Sequence, residues 1–234
     1  MKKFNSRKAI RLADNKQKTK NFLSERGIPF AETFAMIKNR KELLAFEFSS
    51  LPESDFVIKP NHGSKGRGIF IIHREGACLH QNSQSDNEIF FHTGGKTRNE
   101  AALKNQLAGI LDGEYSLTND DSMLIEEKLI PGADFKLFCT HGLADIRIIV
   151  FNLVPVAAEI RIPTEKSGGK ANFAAGGIGC GIDIQTGKIF SSFIQGRLYK
   201  QHFPSESKEY QNKKLPFRDD VLFLSSKIQY FVNL

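Results

Sequence analysis

Short apolar runs alternate with amphipathic segments along the first half of the chain. Apolar residues spaced by three or four positions predict helices, whereas compact β-branched or aromatic runs predict strands. Gly27 and Pro29 predict the end of the first helix, because neither residue suits a helix interior. The predicted helices lie at 15–26, from Asn39 onwards and at 98–112, and the predicted strands at 32–37, 55–60 and 69–72.

The second half of the chain is richer in strand patterns. Six glycines between Gly168 and Gly181 predict a loop rather than the interior of an element. A loop is also expected for the polar residues 82–88. Helices and strands occur in both halves, which predicts an α+β fold. The further strands are predicted at 123–130, 145–151, 156–162 and 182–184, and the last helix at 218–232.

The positive charge of the chain is concentrated at its N-terminus. Lys and Arg outnumber Asp and Glu by 33 to 26, which gives a formal net charge of +7. The first 20 residues contain eight of these basic residues and, on the acidic side, only Asp14, so the rest of the chain is electrically balanced. A nucleic-acid-binding protein would instead carry a basic stripe over a folded face. We therefore expect no nucleic-acid partner.

Apolar segments and cysteines indicate the compartment. The longest apolar stretch, residues 148–158, is about half of the roughly 20 residues that a membrane-spanning helix needs. No apolar run of signal-peptide length follows the basic N-terminus. The spacing of Cys78, Cys139 and Cys180 fits neither a disulfide framework nor a zinc site, so reduced and mostly buried thiols are expected. These features predict a cytoplasmic protein without a membrane span.

A glycine-rich segment between two predicted strands carries the clearest chemical signal. It runs from Lys59 to Gly68 with the sequence KPNHGSKGRG. Glycine allows positive φ and lets backbone N–H groups approach an anion, so such a loop suits phosphate binding. Ile69 and Phe70 stand where a Walker A loop would have Lys and Ser or Thr, and the loop leads into a strand, unlike a dinucleotide fingerprint. The pattern fits either a flap over nucleotide phosphates, with Lys59 as a cation, or an ordinary hairpin turn.

The segment FVIKPNHGSKGRGI resembles the ATP-grasp superfamily, in which a lysine ends a strand of the lid subdomain and a glycine-rich loop closes over the triphosphate. Upstream, ADNKQKTKNFLSERGIPF resembles the ATP-grasp pattern in which a lysine precedes a helix that ends in Gly-Ile-Pro. From its surroundings alone, Lys16 is one more solvated charge in a basic helix. The resemblance implies that the phosphates are bound by Lys16, Lys59, Gly63, Ser64, Gly66 and Gly68.

Residues 123–132, MLIEEKLIPG, resemble the hinge strand between the two ATP-grasp subdomains. The resemblance implies that the backbone around Lys128 and Leu129 reads adenine. It also implies that Glu126 or Glu127 accepts hydrogen bonds from the adenine amine or the ribose hydroxyls. Neighbouring residues of a strand point to opposite faces, so only one of the two glutamates is expected to face the nucleotide.

A longer segment, from Asp145 to Asn172, resembles the α-L-glutamate ligase-related ATP-grasp proteins, which include the ribosomal-protein glutamate ligase-like enzymes. It holds a D-x-R strand, a second strand that ends in Arg-x-Pro-Thr, and a glycine-bearing K-A-N segment. The resemblance implies that Arg147, Arg161 and Asn172 face an acylphosphate. Guanidinium groups on neighbouring strands can bind phosphate or carboxylate in a bidentate way. The segment Asp134–Lys136 is an alternative to the D-x-R strand, with a shorter match.

The resemblance also implies ATP and Mg²⁺ as cofactors. ATP-grasp enzymes hold Mg²⁺ with acidic residues and an asparagine on late strands, commonly in an E-x-N pair. No E-x-N follows Asp183, so the sequence does not identify the metal ligands. We therefore expect an ATP-grasp fold of two α+β subdomains, with the nucleotide between them, that lacks its last strands. Such a chain is expected to bind ATP weakly, with little dependence on Mg²⁺, and to form a homo-oligomer or pair with a complementing chain.

The function implied by the resemblance is that of an ATP-dependent carboxylate–amine ligase. Such an enzyme phosphorylates a small-molecule or peptide carboxylate to an acylphosphate, which an amine then attacks. The alternative is a truncated or degenerate ATP-grasp module that binds nucleotide without ligase activity. The predicted division is a basic N-terminal segment and helix at 1–31, a lid subdomain at 32–124 and an incomplete core subdomain at 125–234.

Overall fold

A computed structural model describes residues 5–52, 54–63, 66–75, 90–93, 96–116 and 120–232. These residues form two compact units. The first unit runs from Leu12 to Leu129, and the second contains the residues from Ile130 onwards together with those up to Arg11. The predicted loop at 82–88 and Cys78 lie outside the described residues.

An antiparallel sheet of six strands forms the centre of the first unit. Its strands are β1 (Thr33–Ile37), β2 (Phe56–Pro60), β3 (Phe70–Glu75), β4 (Phe90–Thr93), β5 (Lys96–Arg98) and β6 (Met123–Glu127). Their order in space is β1-β6-β2-β3-β4-β5. The helices that precede β6 are α1 (Arg7–Ala13), α2 (Lys16–Ser24), α3 (Arg40–Ala45) and α4 (Glu100–Leu111).

Alternation along β2 separates the hydrophobic core of the first unit from the opposite face of its sheet. Phe56 and Ile58 are fully buried and belong to one apolar cluster with Leu103 and Leu107 of α4. Successive side chains of a strand point to opposite faces, so Lys59 is directed away from this core. The core packing of β2 therefore fixes the direction of Lys59.

A second antiparallel sheet, of five strands, organises the second unit. Its strands are β7 (Asp145–Phe151), β8 (Val154–Ile162), β9 (Ile178–Ile182), β10 (Ile189–Ile194) and β11 (Arg197–Tyr199). Their order in space is β11-β10-β9-β8-β7. The helix predicted at 218–232 is confirmed as α5 (Arg218–Val232), which packs against β7 and β8. In the described part of the chain, no helix combines the length and the apolar character needed to cross a membrane.

The loop predicted for the six glycines between Gly168 and Gly181 is wrong at its C-terminal end, because that end forms β9. Gly179 and Gly181 lie inside this strand. A Cβ on Gly179 would lie 2.7 Å from the ring of Phe173, and a Cβ on Gly181 would lie 2.4 Å from Ser191 Oγ. These two glycines make room for neighbouring side chains, which explains why they occur in a strand.

The predicted domain boundaries differ from the two units of the structure. A division between residues 124 and 125 would cut β6, although every residue of β6 pairs with β2. The whole strand therefore belongs to the first unit. The predicted N-terminal segment 1–31 is also divided, because the first unit begins at Leu12.

The thiol of Cys180 is expected to be unreactive in the folded chain. Cys180 is buried, and burial raises the pKa of its thiol to about 12. The thiolate is the reactive form of cysteine, so at neutral pH iodoacetamide should modify Cys180 only when urea unfolds the protein. Peptide mass spectrometry measures this directly, with the half-buried Cys139 as an internal comparison. Rapid modification of Cys180 in the native chain would contradict the expectation.

Candidate functional site

A cavity of about 340 Å³ lies in the first unit, between α2 and the sheet. Three ammonium groups and one carboxylate supply its charges, so the cavity has an excess of positive charge. Such an excess attracts anions. The charged residues are Lys16, Lys20, Lys59 and Glu126, and the other lining residues are Ala13, Thr19, Pro29, Phe30, Ala31 and Leu129.

The local sequence of α2 explains why two lysines share this cavity. The side-chain oxygen of Asn15 accepts a hydrogen bond from Lys18 N at 2.8 Å and so caps the helix. Lys16 and Lys20 are four residues apart and lie on one face of the helix. Lys20 is not among the site residues predicted from the sequence, although its spacing from Lys16 within a predicted helix is a signal that could have identified it.

Glu126 of β6 connects the lysines of the helix and the sheet. Its side chain is 3% exposed, its Oε1 accepts a hydrogen bond from Lys20 Nζ at 2.8 Å, and its Oε2 pairs with Lys59 Nζ. Lys20 Nζ also donates to Ala31 O at 2.7 Å and to Thr33 Oγ1 at 2.5 Å. An ammonium has three donors, so Lys20 uses all of them inside the protein.

Lys16 is held by the segment that begins the glycine loop. Its Nζ donates to Gly63 O at 2.7 Å and to Asn61 O at 3.2 Å. Burial, and next repulsion from Lys59, lower the pKa of Lys16, while two nearby carboxylates act in the opposite direction. An anion in the cavity would favour the charged form of Lys16 and so raise its pKa.

The glycines of the predicted phosphate loop differ in what their positions require. Gly66 and Gly68 have φ values of +69° and +70°, a region that favours glycine. A Cβ on Gly68 would lie 2.6 Å from the Tyr115 ring, and a Cβ on Gly63 would lie 2.3 Å from Pro60 Cγ. A Cβ on Gly66 would meet no described atom within 4 Å. Close packing therefore constrains the two ends of the loop.

The hinge segment places its two glutamates on opposite faces of β6. Glu126 lines the cavity, whereas Glu127 is exposed and its Oε2 accepts a hydrogen bond from Glu32 N at 3.3 Å. Leu129, two residues later, lines the cavity and is 49% exposed. The nucleoside roles of these residues stay predictions.

Several predicted nucleotide-binding residues come together, and others do not. The cavity contains Lys16, Lys59, Glu126 and Leu129. Gly63, Gly66, Gly68 and Glu127 are not among its lining residues, and Ser64 lies outside the described residues. The structure therefore supports a common site for four of the predicted residues.

Two predicted catalytic arginines lie on neighbouring strands of the second unit. In the register of β7 and β8, Asp145 faces Arg161 and Arg147 faces Glu159. Arg161 donates from Nε and Nη2 to the two carboxylate oxygens of Asp145, each at 2.5 Å. The more exposed Arg147 has its Nε 3.9 Å from Glu159 Oε1. Each guanidinium group therefore already lies beside a carboxylate.

The third predicted catalytic residue, Asn172, has a local structural contact. Its side-chain oxygen accepts a hydrogen bond from Ala174 N at 3.0 Å and caps the 3₁₀ turn Phe173–Ala175. The alternative D-x-R segment, Asp134–Lys136, lies in another 3₁₀ turn, Ala133–Phe138, and not in a strand. The catalytic roles of Asn172 and of the two arginines stay predictions.

The described charged groups of the two units do not form a metal centre. Among the residues that the structure describes, no three or more His, Cys, Asp or Glu side chains are placed to hold a metal ion. Mg²⁺ prefers carboxylate oxygens, phosphate oxygens and water. Glu126 has both carboxylate oxygens next to lysines, so the cavity suits the phosphates of a nucleotide better than a protein-bound metal ion.

Similarity to known proteins extends over nearly the whole chain. A search of curated proteins found no match. Among solved structures, the crystal structure of D-cycloserine synthetase DcsG is similar at 12% sequence identity and a TM-score of 0.36, and the match covers 95% of this chain and 71% of that chain. The family model of sugar-transfer associated ATP-grasp proteins matches residues 1–234. The chain therefore belongs to the sugar-transfer associated ATP-grasp family and has the α+β ATP-grasp fold that its sequence predicts.

Proposed function

We propose that this chain is an ATP-dependent ligase that joins a carboxylate to an amine through an acylphosphate. The observation that carries the proposal is the cavity that contains Lys16, Lys20 and Lys59, in which Lys16 Nζ donates to Gly63 O at the start of a loop whose Gly66 and Gly68 have positive φ. Membership of an ATP-grasp family supports an ATP-dependent, ligase-type function. Glutamate ligase-like specificity, implied by the sequence resemblance, is the narrower part of the proposal.

Lys16 and Lys59 are proposed to bind the phosphates. An ammonium is a compact charge that binds phosphate oxygens from many directions. Lys59 is 26% exposed and can therefore reach a ligand in the cavity. Gly66 and Gly68 would add backbone N–H groups, since positive φ lets successive amides form an anion-binding concavity. Lys20 has all its donors in use, so we assign it to fixing Glu126.

The nucleoside is proposed to lie against Phe30 and Leu129. Both side chains line the cavity and are large, apolar and partly exposed, at 42% and 49%. Apolar walls with a few polar groups are typical of small-molecule sites. Both oxygens of Glu126 are occupied, so we propose that Glu126 orients Lys59 and that the backbone near Leu129 reads the base. Glu127 is the remaining candidate for a polar contact with the nucleoside.

The proposed reaction has two steps. A carboxylate oxygen attacks the γ-phosphorus, the bond to the bridging oxygen of ADP breaks, and an acylphosphate forms. The amine nitrogen then attacks the acyl carbon, phosphate leaves and the nitrogen loses a proton. We propose that Arg147, Arg161 and Asn172 contact the acylphosphate. A guanidinium has five N–H donors, so Arg161 retains three besides the two that bind Asp145.

Substrates and a metal ion complete the proposed reaction. We propose small-molecule or peptide carboxylates and amines as substrates, met in the cytoplasm. ATP-grasp enzymes generally use ATP together with Mg²⁺. The described residues do not form a metal site, so we assign no residue of this chain to the metal.

Lys59→Met should weaken ATP binding by about 10- to 150-fold, the loss expected for one charge-assisted hydrogen bond. Methionine keeps most of the apolar stem but removes the ammonium that lies between Glu126 and the cavity. Isothermal calorimetry measures the affinity, and the melting temperature checks the fold. Lys41→Met is the matched control, because Lys41 is an exposed lysine of α3. Equal ATP affinities of the two variants would remove Lys59 from the site.

The ligase reaction can be tested with hydroxylamine as the amine. Hydroxylamine converts an acylphosphate into a stable hydroxamate, so a panel of carboxylates can be tested with ATP and Mg²⁺. The expected result is ADP release that depends on one carboxylate and equals hydroxamate formation. ATP binding without either product for any carboxylate would instead favour the nucleotide-binding module without ligase activity.

A further inference from the structure

A buried carboxylate outside the cavity lies next to the start of the glycine loop. The side chain of Asp121 is 0% exposed, and it follows α4 and precedes β6. Its Oδ2 accepts a hydrogen bond from His62 N at 3.1 Å. Its Oδ1 accepts hydrogen bonds from Ser122 N and from His62 Nδ1, both at 2.8 Å. Asp121 therefore holds both the backbone and the imidazole of His62.

The neighbours of His62 determine which ring nitrogen carries the proton. Asn15 uses its side-chain oxygen to accept from Lys18 N, so its amide nitrogen must be the atom 3.0 Å from His62 Nε2. An amide nitrogen can only donate, and Nε2 must therefore accept. The proton of the neutral ring lies on Nδ1, from which it is donated to Asp121.

His62 lies between the two residues whose carbonyl groups hold Lys16. Asn61 O and Gly63 O both accept hydrogen bonds from Lys16 Nζ. The same segment binds the first turn of α2 through its backbone, because Lys16 N donates to Asn61 O at 3.2 Å. The carbonyl groups of the residues before and after His62 therefore set the position of the Lys16 ammonium.

We propose that Asp121 is a positioning residue which, through His62, fixes Lys16 and the start of the glycine loop for binding nucleotide phosphates. The proposal rests on the nucleotide-binding part of the proposed function. Asp121 makes no hydrogen bond to the ammonium itself. It holds His62, which lies between the two residues whose carbonyl groups do.

The charge of Asp121 acts on Lys16 in the same direction. Lys20 of α2 lines the same cavity as Lys16, and the charged groups that shift the pKa of Lys16 are Lys59 of β2, Asp121 and Glu126 of β6. Burial and Lys59 lower the pKa of Lys16, whereas Asp121 and Glu126 raise it. Removing the charge of Asp121 therefore lowers the pKa of Lys16 further, and the ammonium loses its proton at a lower pH.

The first experiment measures Lys16 without any nucleotide. The rate of Lys16 acetylation by acetic anhydride is followed against pH by peptide mass spectrometry, because only the neutral amine reacts. In Asp121→Asn the titration midpoint of Lys16 should move to lower pH. In Asp14→Asn, which removes an exposed carboxylate two residues from Lys16, the midpoint should stay near that of the parent chain.

The second experiment measures ATP affinity by calorimetry. Asp121→Asn and His62→Ala should each weaken binding roughly tenfold, the loss expected when one charge-assisted contact is misplaced. The double variant should bind ATP no more weakly than Asp121→Asn does, because both changes break the contact between Asp121 and the His62 side chain. His62→Asn should bind nearly as well as the parent, since its amide can donate to Asp121 from the position of Nδ1. His62 is partly exposed, so its variants keep the test valid if Asp121→Asn does not fold.

The outcomes separate this inference from the proposed function. If the parent chain does not bind ATP, the proposed function fails, and the Lys16 titration still tests the positioning. If the parent binds ATP and the variants bind it equally well, the inference is overturned. Weaker binding with an unchanged Lys16 titration also overturns it, because general loosening of the loop would then explain the loss.

Discussion

Glu126→Gln should lower the free energy of unfolding of the first unit by about 3–5 kcal/mol, the usual cost of removing one partner from a buried ion pair. Glu126 is the carboxylate between Lys20 and Lys59, whose side chains are only 11% and 26% exposed. Glutamine has the same shape but no charge, and its amide nitrogen would face one of the two ammonium groups. Hydrogen exchange of the β2 and β6 amides measures the opening free energy of this unit.

The adjacent residue provides a control for this result. Glu127 is exposed on the opposite face of β6, so Glu127→Gln should change the stability by no more than about 0.5 kcal/mol. Adding Lys20→Met to Glu126→Gln should restore part of the stability, because the unpaired buried ammonium is then removed. Equal losses for the two glutamate variants would show that the buried pair contributes little.

Gly68→Val should destabilise the first unit more than Gly66→Val does. Both positions have positive φ, where a β-branched residue is strained by about 1–3 kcal/mol. At Gly68 the new Cβ would also overlap the Tyr115 ring, and such overpacking adds about 1–3 kcal/mol. At Gly66 the Cβ meets no described atom within 4 Å, so only the strain applies. Hydrogen exchange of β3, which follows the loop, measures the difference.

Tyr115→Ala separates the two causes of the Gly68 effect. In that background the overlap with the ring disappears, but Cβ of residue 115 would still lie 2.9 Å from the new Cβ, so Gly68→Val should cost less than in the parent chain and still more than Gly66→Val. Both variants should also weaken ATP binding, because valine holds the loop away from a phosphate. If Gly66→Val and Gly68→Val are equally stable in the parent chain, the packing of Tyr115 does not constrain the loop.

Local patterns of apolar residues correctly predicted elements such as α5 and β7. The apolar spacing of residues 218–232 predicted α5 within its observed bounds. The compact run 145–151 likewise predicted β7. The strand predicted at 182–184 shares only Ile182 with β9, because the glycines of β9 reflect the side chains that lie against it, and a sequence pattern does not show which residues become neighbours.

The candidate site shows the same limit. Lys59 was found from its position before the glycine loop, and the alternation of Glu126 and Glu127 predicted that only one would face the nucleotide. Which one faces the cavity depends on β6 lying between β1 and β2, a pairing of distant segments. Lys20 appears in the sequence as one more charge of a basic segment. Its burial follows from Glu126, which lies 106 residues away in the chain.

The carboxylate of Glu126 is already paired with Lys20 and Lys59, and this pairing affects the affinity of the cavity for the proposed nucleotide. Lys59 already has a counter-ion before any ligand arrives, so binding exchanges one ion pair for another and does not neutralise a bare cation. The affinity then depends on the difference between two pairs, and a phosphate leaving the cavity is replaced at once by Glu126. If the chain binds nucleotide as proposed, such a site favours release of the product over its tight retention. The ATP affinity of such a site should fall less steeply with increasing ionic strength than the ATP affinity of a site with three unpaired lysines.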